Sequence, residues 1–278
     1  MDGPFFSFLC YVKSFRQSPP RPKKSTLVIG PKAVLEALDS GLQLDKVYLD
    51  IKSFGPDVHR IRQAAASRGV PIQMVPLAKL NSFHIDQHEG CVAQKAKVQY
   101  HDLQDVISWV NDRGQTPLFL ILDGITDVRN IGGIARTAYC SGVHALIIPD
   151  KGVGALQEDA ILTSAGALEK IPVCRVNSLL KAIDDLHLNG IQVMASVMRS
   201  GTPIDQADLN QPLALILGGE EKGIYPALLK AADLQVHIPM QTDFDSLNVS
   251  VATGMILYET MKQLSLIHIS EPTRLRRI

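Results

Sequence analysis

The sequence predicts an α/β protein in two parts: a small N-terminal α/β block and a larger C-terminal block built on a mostly parallel sheet. Three observations lead there. From Thr116 onward, short apolar runs bounded by Gly, Pro or Asp alternate with helical patterns, the order that a parallel sheet with helices on both faces requires. Residues 25–97 alternate in the same way over shorter runs. The composition, 278 residues with 46% hydrophobic and 20% charged, suffices for the cores of one large or two modest domains and is too ordinary for disorder.

In the first block Leu27-Val28-Ile29-Gly30 reads as a strand end, and Pro31 opens a helix at a position where its missing N–H costs nothing. Val34, Leu35 and Leu38 recur at helical spacing. Val47-Tyr48-Leu49 is a short strand, 57–68 a helix ended by Gly69, and 72–75 a further strand. Residues 98–115 hold one apolar-periodic segment (Leu103, Val106, Ile107, Val110), close at Arg113-Gly114 and read as a linker. The second block, 116–263, offers strands at 118–122, 145–148, 173–176, 191–196, 213–217 and 236–238. Helical patterns fall at 134–140, 179–188 and 247–261. There is no internal repeat.

Cys10, Cys91, Cys140 and Cys174 lie far apart with no Cys-x-x-Cys pair. That spacing argues against a disulfide framework or zinc ribbon and for a reducing compartment, with Cys140 and Cys174 as small core residues. No apolar run approaches the roughly 18 residues of a membrane span, so the expectation is a cytoplasmic protein that makes no membrane contact. The net charge of zero conceals basic ends: +4 over 1–24 and +2 over 264–278, leaving −6 on the rest. Any nucleic acid must therefore be met by a local patch rather than a bulk field. Residues 1–24 read as a basic, disordered extension or a misplaced start rather than a secretory signal, because nothing basic precedes the apolar run and no small-residue cleavage site follows it. Residues 264–278 follow an expected helix end at Lys262-Gln263 and read as a non-native tail. His84 and His88 flank Asp86 like metal ligands, but no third ligand has suggestive spacing, so no metal is expected.

Ligands of open parallel sheets bind beyond the carboxyl ends of the strands, and three exit loops stand out. The first runs from Asp123 through Asn130, Gly132, Gly133 and Arg136; taken alone, its simpler reading is an N-capping Asn and a surface Arg. The second, Gly218-Gly219-Glu220-Glu221-Lys222-Gly223-Ile224, is glycine-rich but matches neither the P-loop nor the dinucleotide fingerprint. In the third, Ser246 is an N-cap for the helix at 247–261. Asn248 and Ser250 are poor helix-interior residues there, since their side chains compete for the backbone.

Together, in this order and at these strand ends, the loops closely resemble the three motifs of SpoU/TrmH-type RNA ribose 2′-O-methyltransferases, a branch of the SPOUT superfamily, over 118–262. Residues 27–97 resemble the L30e-like substrate-binding domain of the RlmB type, which modifies a guanosine ribose in 23S rRNA. Gly30, Val34, Glu36-Ala37-Leu38 and His88-Glu89-Gly90 carry that second match. The resemblance implies a C-terminal trefoil knot, a rare exception to the rule that chains avoid threading. It also implies a homodimer, RNA as substrate, and S-adenosyl-L-methionine bound in the knot beside the partner subunit. By position Asn130 and Arg136 match the first motif's functional pair, Glu220 the second motif's acid, and Ser246 and Asn248 the third motif's polar pair. Gly218, Ile238 and Leu247 fall where the family holds the methyl donor. The chain departs from the pattern at Val128 (often Pro), Thr242 (often Gly) and Glu89 (Gln in the family's His-Gln-Gly loop).

A ribose hydroxyl is a poor nucleophile, whereas a sulfonium methyl is already activated. The protein's task is alignment and stabilisation of a developing alkoxide. Arg136 is the candidate for that, clamping a phosphate and the alkoxide; a guanidinium is too weak an acid to serve as a free base. Asn130, Glu220 and Asn248 are expected to hold Arg136 and the ribose in register. The competing expectations are a tRNA ribose methyltransferase and a catalytically silent RNA-binding or ribosome-assembly protein.

Overall fold

The computed structural model describes residues 26–269 except 86, 155 and 243–245, so the extension at 1–24 and the end of the tail lie outside the described residues. The first block comprises β1 (Leu27–Ile29), α1 (Pro31–Asp39), β2 (Leu44–Asp50), α2 (Pro56–Ser67), β3 (Ile72–Val75), α3 (Leu77–Asn81) and β4 (Cys91–Lys95). Its sheet has the order β1-β4-β2-β3, with β4 antiparallel to both neighbours and β2 parallel to β3. Gly30, at φ 87, turns the chain from β1 into α1, and Pro31 follows in the first turn. Val34, Leu35, Ala37 and Leu38 then pack on Val47, Leu49, Ile61 and Ala65. α3 and β4 were absent from the sequence reading: one is five residues long and the other carries two polar residues in five.

The second block adds β5 (Tyr100–His101), α4 (Leu103–Asp112), β6 (Leu118–Asp123), α5 (Val128–Cys140), β7 (Ala145–Pro149), α6 (Glu158–Thr163), β8 (Val173–Val176), α7 (Leu179–Leu188), β9 (Gln192–Ser196), β10 (Thr202–Pro203), β11 (Leu213–Gly218), α8 (Pro226–Ala231), β12 (Leu234–His237) and α9 (Val249–Ile269). All eight strands are parallel, in the order β10-β12-β9-β11-β6-β7-β8-β5. The apolar runs of β6 and β11 need no polar alternation because both faces are covered. Leu118, Leu120 and Leu122 join Leu213, Leu215 and Leu217 in a core with α5 and α9. Phe119, Ile121, Ala214 and Ile216 point the other way, onto α4 and α7. This alternation within continuous apolar runs sets the orientation of every loop at the carboxyl edge.

Three expectations are corrected. Residues 98–115 are built into the second sheet rather than spanning between domains: β5 is an edge strand, and Leu103, Val106, Ile107 and Val110 of α4 are buried against β6 and α7. α9 continues to Ile269 instead of stopping at Lys262-Gln263, since no Gly or Pro interrupts the sequence before Pro272. Cys174 is buried as expected, but Cys140 is exposed, being the last residue of α5. Among the described residues no helix is long and apolar enough to cross a membrane.

After β12, near one end of the sheet, the chain returns to its middle. α9 lies against α5, where a Cβ on Gly133 would sit 3.2 Å from that of Ser250. That return brings the third exit loop to the first two.

Candidate active site

The loop after β11 closes on itself and on the loop after β6. Gly223 N–H donates to the Gly219 carbonyl at 2.9 Å, and Gly219 N–H to the Asp123 carbonyl at 2.9 Å. The Asp123 carboxylate accepts from Tyr225 N–H at 2.7 Å. Only glycine fits at 218 and 219, because a Cβ would lie 2.4 Å from the Gly223 carbonyl carbon and 2.4 Å from the Gly124 carbonyl oxygen respectively. Asp123 is a scaffolding residue that the sequence reading missed. Its signal was an Asp-Gly pair at a strand exit.

Beneath this loop lies a cavity of about 340 Å³, within the range of small-molecule sites. Its lining includes Gly218, Glu220, Ile238, Ser246 and Leu247, five of the eight residues singled out from the sequence. Met198 and Met240, not anticipated, complete an apolar wall with Leu217 and Ile224, while Ser196, Glu221 and Lys222 add polar groups.

At the side of this cavity Asn130, Glu220 and Asn248 form one hydrogen-bonded group. Asn248 Nδ2 donates to Glu220 Oε1 at 2.8 Å and to Asn130 Oδ1 at 3.0 Å, and Asn130 Nδ2 donates to Glu220 Oε1 at 3.1 Å. Three loops, the first 90 residues from the second and the second 28 from the third, thus meet at one carboxylate, and among the described residues nothing bonds its other oxygen. Asn248 is also the N-cap of α9: its Oδ1 accepts from Ser250 N–H at 3.0 Å, Val251 N–H at 3.4 Å and Ser250 Oγ at 2.6 Å. This corrects the assignment of the cap to Ser246. A side-chain oxygen caps the N–H groups two and three residues onward, and with α9 starting at Val249 only Asn248 has that spacing.

The first loop is likewise capped by Asp127, not Asn130. Asp127 Oδ1 accepts from Arg129 N–H at 2.9 Å, and its carboxylate takes the Arg129 guanidinium at 2.8–3.2 Å. These bonds from Arg129 hold the Asp127 carboxyl below its ordinary pKa. α5 therefore begins at Val128, a first-turn position that suits Pro, so Val there is a mild change. Freed from capping, Asn130 is buried and turned to Glu220. Arg136 stays apart. It is exposed, and among the described residues its guanidinium makes no hydrogen bond or ion pair. Six residues on a helix advance the side chain about 240°, which carries Arg136 away from the direction of Asn130. Thr242 is exposed in a bend leading to the third loop. Among the described residues no group of three His, Cys, Asp or Glu could hold a metal ion.

The geometry agrees with comparison to known proteins. Residues 117–258 match the model of the SpoU rRNA methylase family, and residues 27–101 that of the RNA 2′-O ribose methyltransferase substrate-binding domain. The chain belongs to the SpoU rRNA methylase family. A Bacillus subtilis (strain 168) protein provisionally named a TrmH family tRNA/rRNA methyltransferase is 34% identical over 236 residues, covering 85% of this chain and 95% of its own. A similarly named Staphylococcus saprophyticus protein is 31% identical over 237 residues, with the same coverage of 85% and 95%. Among solved structures, the SpoU methyltransferase AviRb of Streptomyces viridochromogenes, in complex with AdoMet, aligns with a TM-score of 0.55 at 23% identity, over 85% of this chain and 89% of that one. An AdoMet-bound rRNA methyltransferase of Sinorhizobium meliloti aligns with a TM-score of 0.52 at 23% identity, over 86% and 87%. These two likenesses speak for the fold of this SpoU-family chain.

Proposed function

We propose that this SpoU-family protein transfers the methyl group of S-adenosyl-L-methionine to a ribose 2′-hydroxyl, that of a guanosine in 23S rRNA. The observation that carries the proposal is the convergence of Asn130, Glu220 and Asn248 on one carboxylate beside the cavity under Gly218. The cavity's chemistry suits the donor: apolar walls from Leu217, Ile238, Met240 and Leu247 for a purine and aliphatic skeleton, and two acids, Glu220 and Glu221, for a cation. Gly218, Ile238, Ser246 and Leu247 would hold it. When bound, it supplies a methyl group already activated by the positive sulfur.

The chain's own groups do the rest. The ribose hydroxyl would be held in line with that methyl group, its proton leaving to a phosphate oxygen or water. Arg136 clamps the adjoining phosphate and stabilises the developing alkoxide. The amides of Asn130 and Asn248 fix Glu220 so that its open oxygen orients the ribose. Arg136 lies outside the hydrogen-bonded group of its own chain, so the reading places it at the seam of a homodimer. An exposed apolar stripe on α9 (Val251, Met255 and Tyr258, the last 66% exposed) supports that seam. The trefoil knot belongs to the same reading, supported by the return of α9 from β12 to α5.

The rRNA assignment draws support from the family description and the leading substrate-binding domain. Names covering both tRNA and rRNA among the relatives make a tRNA ribose the second reading. Mapping 2′-O-methyl sites in cells with and without the gene decides between them. Loss of one mark at a guanosine of large-subunit rRNA is the expected result. A mark lost only from tRNA would establish the second reading, and no lost mark, with no heat on titrating S-adenosylmethionine, would leave a silent RNA-binding protein. Sedimentation of Tyr258→Glu tests the seam: wild type is expected as a dimer and the variant as a monomer.

A further inference from the structure

The two domains meet at a joint made of unusual parts. The pairing of β2 with β4 slips between Leu44 and Lys46, leaving Asp45 as an extra residue, and such a bulge frees backbone carbonyls and re-aims a side chain. Arg175, on β8 of the second sheet, fills that opening. Its Nη1 donates to the Asp45 carbonyl at 2.7 Å and its Nη2 to the Leu44 carbonyl at 3.0 Å. The Asp45 carboxylate lies 3.7 Å from Nη1, accepts from Tyr100 OH at 2.7 Å and accepts from Gln157 Nε2 at 2.9 Å. The guanidinium carbon stands 3.9 Å from the Tyr100 ring centroid, and Gln43 exchanges two hydrogen bonds with the Tyr100 backbone at 2.7 and 3.0 Å. The Arg175 side chain is only 8% exposed and that of Asp45 14%. Burial, and then the Asp45 carboxylate, push the Tyr100 phenol well above its ordinary value, so it remains a donor at neutral pH.

The first domain enters this joint only with β2 and the turn before it, and every polar group named has a partner across it. The joint also reaches the candidate site. Gln157 ends the loop after β7, and Gly154 of that loop donates to the Ile125 carbonyl in the first exit loop at 3.0 Å.

We propose that the Asp45–Arg175 cluster locks the substrate-binding domain to the methylase domain in one orientation, so that Arg175 and Asp45 are positioning residues that present bound RNA to the cavity at a fixed distance. The proposal rests on the RNA methyltransferase reading for its kinetic consequence but not for its structural one. Without the lock, the domain carrying the RNA would sample many orientations, and the loss would fall on productive RNA binding rather than on the donor or on the bond-breaking step.

The test compares full-length wild type with Arg175→Met, Arg175→Lys and Tyr100→Phe, using hypomethylated total RNA from cells lacking the gene as acceptor. For Arg175→Met, KM for RNA is expected to rise about tenfold, as a fall of the binding-competent orientation to about a tenth of the population implies. Its kcat and the affinity for S-adenosylmethionine stay within about twofold, and Arg175→Lys falls between, since one ammonium cannot serve two carbonyls and an aromatic ring. In solution scattering the maximum dimension of Arg175→Met exceeds that of wild type, and its calorimetric unfolding splits into two transitions. If Arg175→Met does not fold, Tyr100→Phe gives the same readouts at smaller amplitude. Unchanged scattering with an unchanged KM, or a fall in kcat alone, overturns the lock. A wild type that transfers no methyl group defeats the enzymatic reading instead, and scattering still decides the lock.

Discussion

The protein contains two polar clusters that join distant parts of the chain, and they are built to opposite ends. At the domain joint, Arg175, Asp45, Tyr100 and Gln157 are mostly buried, and their polar groups are consumed by other protein groups. At the cavity, Asn130, Glu220 and Asn248 share one carboxylate oxygen and leave the other open, with an uncommitted Arg136 nearby in sequence. A buried cluster must satisfy itself or destabilise the fold. A partly exposed one can keep a donor or acceptor in reserve for a ligand at small cost. The first arrangement fixes a shape; the second offers chemistry.

The largest expected effect that sharpens this contrast is on Arg136. Arg136→Ala should lower methyl transfer about 10²- to 10³-fold, the cost of losing one donor to a developing oxyanion, with an unchanged melting temperature because the side chain is exposed and unpaired. Arg136→Lys reports on the guanidinium itself: a loss of only a few-fold with the same apparent pKa in the pH–rate profile would deny it a specific role. Next comes Asn248, where structure and chemistry share one side chain. Asn248→Ala should cost about 1 kcal/mol of stability through the lost cap and also reduce activity. Asn248→Asp keeps the cap oxygen but sets a second carboxylate against Glu220, so stability by urea titration should suffer less than activity. Equal losses in both would show that the group is merely structural.

Much of this was legible from residue order. Aliphatic runs at β6, β7 and β11 announced the parallel sheet, because strands covered on both faces have no polar alternation to disguise them. Asn130, Glu220 and Asn248 were found through three loops at strand exits, and the structure joins them. What the sequence did not disclose depends on fine phase or on distant partners. Whether Ser246 or Asn248 caps α9 turns on a two-residue difference in where the helix begins, and both are good caps. Residues 98–115 looked like a linker because a two-residue strand at an edge has no pattern of its own. Arg175 was invisible as a joint: it is one cation in a short strand, and its partners, the Leu44 and Asp45 carbonyls, are freed by a bulge that no side chain signals.

Smaller effects probe the same difference between closed and open surroundings. Burial pushes the thiols of Cys91 and Cys174 up to about 12, so a thiol reagent at pH 8 should leave both unmodified in the folded protein while labelling the exposed Cys140. Rapid labelling of Cys174 would show that the second sheet opens. The smallest effect concerns His144. Burial holds its imidazole below the ordinary value of 6.5. The unfolded chain therefore takes up its proton first, so this contribution to stability is complete above pH 6.5 and declines as pH falls through that value toward the lower folded one. Urea midpoints from pH 7.5 to 5 should fall by less in His144→Gln than in wild type.

The most direct test of the central claim is the chemical position of the transferred methyl group. Hypomethylated total RNA is incubated with tritiated S-adenosylmethionine and the protein, then digested with alkali, which cleaves only beside a free 2′-hydroxyl. Tritium in alkali-resistant dinucleotides, absent with Arg136→Ala, is the predicted result. Tritium in mononucleotides, marking a methylated base, or equal labelling by the variant would contradict it.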